Sequence, residues 1–173
     1  MRSPLLAAAL LVAAPAGAAD VWAGALAHDV DTVFTKDIAE AGTDLNLGYR
    51  FDRQDALAAI GRPAPYLFAS VNTGGDTSFA GGGLSWTIGR GSLYFRPGIG
   101  IVVHDGPRRR IARNVRVDLG SRLLFEPEAS LGYRLSRRLA VEAAWVHVSH
   151  ARIFSRQNPG LDTIGLRAVW ALR

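Results

Sequence analysis

Beyond residue 20, apolar and polar positions alternate with a period of two in segment after segment, the signature of strands whose two faces meet different surroundings. The alternation predicts eight strands, over 21–28, 43–52, 66–74, 77–88, 92–104, 118–134, 139–149 and 161–172. Along 43–52, Leu45, Leu47, Tyr49 and Phe51 share one face, and Asp44, Asn46, Gly48, Arg50 and Asp52 share the other. Along 92–104, Leu93, Phe95, Pro97, Ile99, Ile101 and Val103 oppose Tyr94, Arg96 and Gly98. Along 118–134, Leu119, Leu123, Phe125, Ala129, Leu131 and Tyr133 oppose Asp118, Arg122, Glu126, Glu128 and Arg134. An even number of strands of this length suits a closed antiparallel barrel, which leaves no edge unpaired.

Alternation does not say which face lies inside. In a soluble barrel the charged face meets water; in a membrane barrel it turns inward and the apolar face meets lipid. The start of the chain favours the membrane. Arg2, an apolar run from Leu5 to Ala14 and then Ala16-Gly17-Ala18 have the order of a secretory leader, with cleavage after Ala18 and one barrel domain over 19–173. The run is shorter than the roughly 20 residues a membrane-spanning helix needs, and no later stretch is longer. Aromatics near strand ends on the apolar faces (Tyr49, Phe51, Tyr133, Trp145, Trp170) point the same way. The expected fold is therefore all-β: an eight-stranded antiparallel transmembrane β-barrel of the outer membrane.

On this reading Arg50, Arg96, Arg122, Arg134 and Arg167 pair with Asp44, Glu126, Glu128 and Glu142 inside a lumen too narrow for a water channel. With the N-terminus in the periplasm, the longer connections 28–42, 104–117 and 150–160 lie outside, and tight turns at 89–91 and 136–138 lie below. The long connection 53–65 is the exception, with a short helix expected over 56–60. Pro97 and Pro127 remove ladder donors, so bulges are expected there.

Composition narrows the chemistry. The chain has 173 residues and no Cys, which excludes disulfide staples, thiolate metal sites and a Cys nucleophile. Its 19 Gly, 4 Trp, 4 Tyr and 7 Phe suit a β-rich fold. The net charge of +5 comes from dispersed basic residues without interleaved aromatics, so nucleic acid is not an expected partner. His28, Asp29 and Asp31 fix no ligand geometry, and no metal is expected.

Chemistry concentrates in the last hairpin. His147 and Ser149 are two apart on a strand and share a face, in phase with Val141, Ala143 and Trp145; Glu142 is in the lumen phase. On the final strand Asp162 is in phase with Ile164, Leu166, Ala168, Trp170 and Leu172, and Arg167 is on the lumen side. Pairing Trp145 with Ile164 would set Asp162 directly opposite His147. A carboxylate orienting an imidazole that deprotonates a hydroxyl is the logic of acyl transfer to serine. The other reading is an interfacial polar cluster, since Ser, His and Asp also crowd strand ends and Asn158-Pro159-Gly160 is a common turn sequence.

The pattern His147-x-Ser149-x-Ala151, followed by Asn158-x-Gly160-Leu161-Asp162, resembles the PagL-type lipid A 3-O-deacylases of Gram-negative outer membranes. Ala27-His28-Asp29-Val30-Asp31 and Leu47-Gly48-Tyr49-Arg50-Phe51 extend the resemblance over most of the mature chain. It implies a lipid-facing triad that hydrolyses the ester at position 3 of lipid A and releases a 3-hydroxy fatty acid. Ser149 would be the nucleophile, His147 the general base, Asp162 the orienting acid in place of the family's more frequent Glu, and Asn158 an oxyanion-hole donor. His150 stands where the family usually has Asn, and Arg152 where Gly is common. The implied partners are lipopolysaccharide and outer-membrane lipids; no cofactor is needed, and a homodimer is compatible with the sequence. Arg108, Arg109, Arg110 and Arg113, with Arg116, crowd one outer connection and suit lipopolysaccharide phosphates, which Arg binds bidentately. The alternative functions are a non-catalytic small outer-membrane barrel with a structural or adhesive role, and a soluble secreted ligand-binding barrel.

Overall fold

The computed structural model describes residues 20–35, 39–107, 116–154, 156 and 158–172. The expected leader, 1–18, and Arg108, Arg109, Arg110 and Arg113 lie outside the described residues. Eight strands form a closed antiparallel barrel in sequence order: β1 (Asp20–Ala27), β2 (Thr43–Arg50), β3 (Ala64–Asn72), β4 (Phe79–Ser85), β5 (Leu93–His104), β6 (Leu123–Arg134), β7 (Leu139–Val148) and β8 (Leu161–Ala171). β1 closes the ring against β8, from Asp20 opposite Ala171 to Ala27 opposite Ile164. The described residues of the connections 28–42, 73–78, 105–122 and 149–160 lie at one end, here the loop end. The opposite end carries the terminal residues of β1 and β8, two short connections and a 3-10 helix at Asp55–Ile60, where the sequence led us to expect a helical turn.

The faces sort as the alternation predicts. Leu45, Leu47, Leu67, Val71, Leu93, Phe95, Ile99, Ile101, Val103, Leu131, Tyr133, Leu166 and Trp170, on β2, β3, β5, β6 and β8, are exposed on the outer surface. Their lumen-side neighbours are buried and carry the charge. Such an exterior suits hydrocarbon rather than water. Inside, Arg167 Nη1 lies 2.9 Å from Glu128 Oε2, Arg50 Nη1 lies 2.6 Å from Asp20 Oδ1, and Arg96 pairs with Glu142. Tyr94 donates to Glu142 and Tyr66 to Glu126. The filling is not wholly polar: Trp22, Leu26, Phe68, Phe79, Val102 and Leu124 are also buried within the barrel. Trp22 and Tyr94 fit because the residue beside each on the neighbouring strand is glycine. A Cβ on Gly48 would collide with the Trp22 ring at 2.1 Å, and one on Gly132 with the Tyr94 ring at 2.1 Å.

Several expectations are corrected. The ladder of β6 starts at Leu123, not 118. Gly120 adopts φ +72, and its N–H turns back to Asp118 Oδ1, so the chain there folds over the rim instead of extending. Leu119, expected on the outer face, is fully buried. Arg122, expected in the lumen, is an exposed rim residue that donates to the carbonyls of His104 and Gly106. Arg134 donates to the Gly91 carbonyl and stacks 4.4 Å above the Tyr94 ring rather than pairing with an acid. β4 ends at Ser85, although Ile88 still bridges to Phe95. No bulge forms at either proline: β5 and β6 stay in one register from Leu93–Tyr133 to Val103–Leu123, through Pro97–Ala129 and Ile99–Pro127. β6 and β7 likewise keep one register from Arg134–Ala140 through Glu128–Val146 to the Phe125–Ser149 bridge. Pro127 therefore stands opposite His147, and because it has no N–H that rung simply lacks one hydrogen bond.

At the loop end, His28, immediately after β1, lies 2.9 Å from Glu40 Oε2 and 2.8 Å from Asp44 Oδ1, all three buried. Glu40 also accepts from Thr77 N–H and Oγ1 and from Val117 N–H, so one carboxylate ties three connections together. Arg116 adds a bond to Asp105 and approaches Glu40. Burial disfavours a charged His28, but hydrogen bonds to Asp44 and Glu40 outweigh it and push its pKa up to about 9. Burial likewise opposes ionisation of Glu40, yet donors from His28, Thr77 and Val117 hold its carboxyl below the ordinary value. Because the folded pKa of His28 exceeds the unfolded value near 6.5, its stabilisation is complete below about pH 6.5 and is lost as pH rises through about 9. Protease resistance of the loop end is therefore expected to fall across that interval, and His28→Asn to flatten the slope. An equal slope in the variant would exclude His28 as its source.

Candidate active site

The β7–β8 register runs from Leu139–Trp170 to Val148–Leu161 and includes Trp145–Ile164 and His147–Asp162, the pairing inferred from the pattern. His147 and Asp162 lie near the loop end in the strand phase of the exposed Ile164 and Leu166, although both are themselves buried; their chain neighbours Val146, Val148 and Thr163 are buried too. The His147 Nδ1 to Asp162 Oδ1 distance is 3.0 Å. An Nδ1–H donated to the carboxylate fixes the tautomer and leaves Nε2 as the basic nitrogen.

Asp162 is wholly buried and richly bonded. Trp145 Nε1–H donates to Oδ1 at 2.7 Å, Thr32 Oγ1–H donates to Oδ2 at 2.5 Å, and Thr35 Oγ1–H donates to the same oxygen. Thr32 and Thr35 come from the 28–42 connection, whose Val30 N–H also bonds the Asp162 carbonyl at 2.9 Å. Phe34 lies between them in sequence and packs its ring 5.5 Å from Trp145 and 5.8 Å from His147. Sequence reasoning missed these three residues, since nothing periodic marks the connection. Trp145 was legible in principle, because it sits diagonally across the ladder from Asp162.

Ser149 shares the outward phase of His147, and its main chain exchanges both hydrogen bonds with Phe125 on β6. Among the described contacts none joins Ser149 Oγ to the imidazole. Asn158 Oδ1 accepts from His150 N–H at 2.9 Å, which ties the two ends of the 149–160 connection together and leaves the amide NH2 as the group able to donate. Gly160 has φ +77, and a Cβ there would lie 2.8 Å from His147 Cε1, so both conformation and close approach require glycine. His150 is fully buried, with its ring 5.8 Å from that of Phe154. Ala151 and Arg152 adopt φ +51 and +61, a left-handed conformation that favours Gly at the position where Arg152 replaces it.

A family model described as lipid A 3-O-deacylase (PagL) matches residues 43–171. The chain belongs to the PagL family. It is thus an outer-membrane ester hydrolase with lipid A 3-O-deacylase activity. The crystal structure of the outer membrane enzyme PagL superposes with a TM-score of 0.62 at 20% identity, covering 87% of this chain and 97% of that one. A de novo designed transmembrane β-barrel (TM-score 0.50, 14% identity, 90% and 96% covered) shares the architecture. So does the Yersinia pestis outer membrane protein Ail in a nanodisc (TM-score 0.52, 9% identity, 90% and 99% covered). No curated protein sequence matches. The PagL match begins at β2 and ends with β8, so it contains His147, Ser149, Asn158 and Asp162; Thr32 and Thr35 lie before it.

Proposed function

We propose that Ser149, His147 and Asp162 form the catalytic triad of this deacylase, turned toward the outer leaflet. His147 Nε2 removes the Ser149 hydroxyl proton as Oγ attacks the ester carbonyl at position 3 of lipid A. Asp162 holds the ring and stabilises the imidazolium. The Asn158 amide donates to the oxyanion, a contribution typically worth about 100- to 1,000-fold in rate. Collapse of the tetrahedral intermediate passes the proton from His147 to the departing sugar hydroxyl and leaves the 3-hydroxyacyl group on Ser149. Water activated by His147 then releases the fatty acid and restores the serine. The sequence of steps balances with water as the sole co-substrate.

The observation that carries this reading is the hydrogen-bonded His147–Asp162 pair on outward positions at the loop end. A charged group on the lipid side costs least near the interface, and the ester bonds of outer-leaflet lipids lie there too. In this orientation the loop end is extracellular, and lipopolysaccharide phosphates are the ligands proposed for Arg108, Arg109, Arg110 and Arg113. The mature chain begins after Ala18.

Mass spectrometry of lipid A incubated with the refolded barrel tests the reading. Loss of one 3-hydroxyacyl group, from position 3, is expected. Unaltered lipid A across several detergents and lipids would favour the non-catalytic barrel.

A further inference from the structure

Resting on the triad reading, we propose that Thr32 and Thr35 are positioning residues for the deacylation, locking the Asp162 carboxylate from the 28–42 connection. A carboxylate on a single methylene can swing about its last torsion, which would turn its oxygens away from His147. Here each oxygen has its own donors: Oδ1 takes Trp145 and His147, and Oδ2 takes the two threonine hydroxyls. Turning the carboxylate out of this plane would break all of these bonds at once.

The threonines sit at the two ends of one turn. Thr35 N–H bonds the Thr32 carbonyl at 3.3 Å, and Phe34 N–H bonds Thr32 Oγ1 at 3.0 Å, so that hydroxyl accepts from the turn while donating to the acid. The same turn directs Phe34 onto the His147 ring. Its flanks are anchored independently: Asp29 Oδ2 accepts from Ala39 and Glu40 N–H, and His28 bonds Glu40. Acid and base are thus held by a turn that belongs to neither of their strands. Asp is shorter than Glu, and this outside grip is what fixes it at the reach His147 requires.

Two paired variants separate the hydroxyls from the shape of the side chain. Thr32→Val with Thr35→Val keeps the volume and removes both donors; Thr32→Ser with Thr35→Ser keeps the donors and removes the methyl groups. With folding verified by heat-modifiable gel mobility, the Val pair is expected to lose up to about 100-fold in kcat with KM within about twofold, as for a misplaced catalytic group. The Ser pair is expected to retain activity near that of the parent. In an Asp162→Asn background the Val pair should cause no further loss, because the group it positions has already been compromised. Either single Val variant serves if the pair does not fold. A Val pair as active as the parent, or a Ser pair as damaged as the Val pair, would overturn the positioning role while Asp162→Asn still reports the triad. Full activity in Asp162→Asn alone would overturn the triad reading, and the positioning role with it.

Discussion

Ser149→Ala is expected to lower deacylation by about 10^4- to 10^6-fold in kcat, leaving a folded, heat-modifiable barrel. The size follows from how triads work: base and acid act only through the nucleophile, so losing it costs about as much as losing all three groups. What remains is binding and oxyanion stabilisation, through which water can still attack slowly. Folding should be untouched, because Ser149 holds β6 through its main chain alone, exchanging hydrogen bonds with Phe125. The check is the rate of 3-hydroxy fatty acid release in mixed micelles. A residual rate within tenfold of the parent would remove Ser149 as nucleophile. A large loss that His147→Ala does not deepen would show the two acting as one unit.

Glu128→Ala is expected to destabilise the barrel by about 3–5 kcal/mol. Arg167 and Glu128 are both buried, 2.9 Å apart, and removing the acid strands a guanidinium inside the lumen. The Trp22 ring, 5.4 Å from that guanidinium, compensates only in part. Replacing both partners by Leu and Met of comparable volume should recover most of the loss, since the penalty belongs to the unpaired charge rather than to the missing bond. Urea unfolding of the parent and the two variants in lipid vesicles measures this directly. A double variant no better than Glu128→Ala would mean that the pair contributes net stability of its own.

How much of this was readable beforehand differs between strands and connections. Leu45 to Arg50 and Leu93 to Val102 display their two environments in the order of their residues, so the inverted barrel followed from alternation together with the leader-like order of the first 18 residues. The pairing of His147 with Asp162 was also legible, because a hairpin's register is constrained by matching its apolar face. Alternation failed where a local turn overrode it: Asp118 and Leu119 continue the period, but Gly120 turns the chain and Leu119 packs inward. It also failed to foresee Thr32, Thr35 and Glu40. Each meets its partners only after the ring has brought distant segments together, across 130 residues for Thr32 and Asp162, and nothing local encodes such a meeting.

The first and last strands meet at the ring's closing seam, and the reactive cluster straddles it. Asp162 belongs to β8, the end of the chain; its threonine donors follow β1, the beginning; and His147 waits on β7. With that seam open, Asp162 lacks the two threonine donors that reach it from the segment after β1. On the triad proposed above, full hydrolytic competence therefore arrives only with closure of the ring, and a barrel still open there is expected to deacylate more slowly.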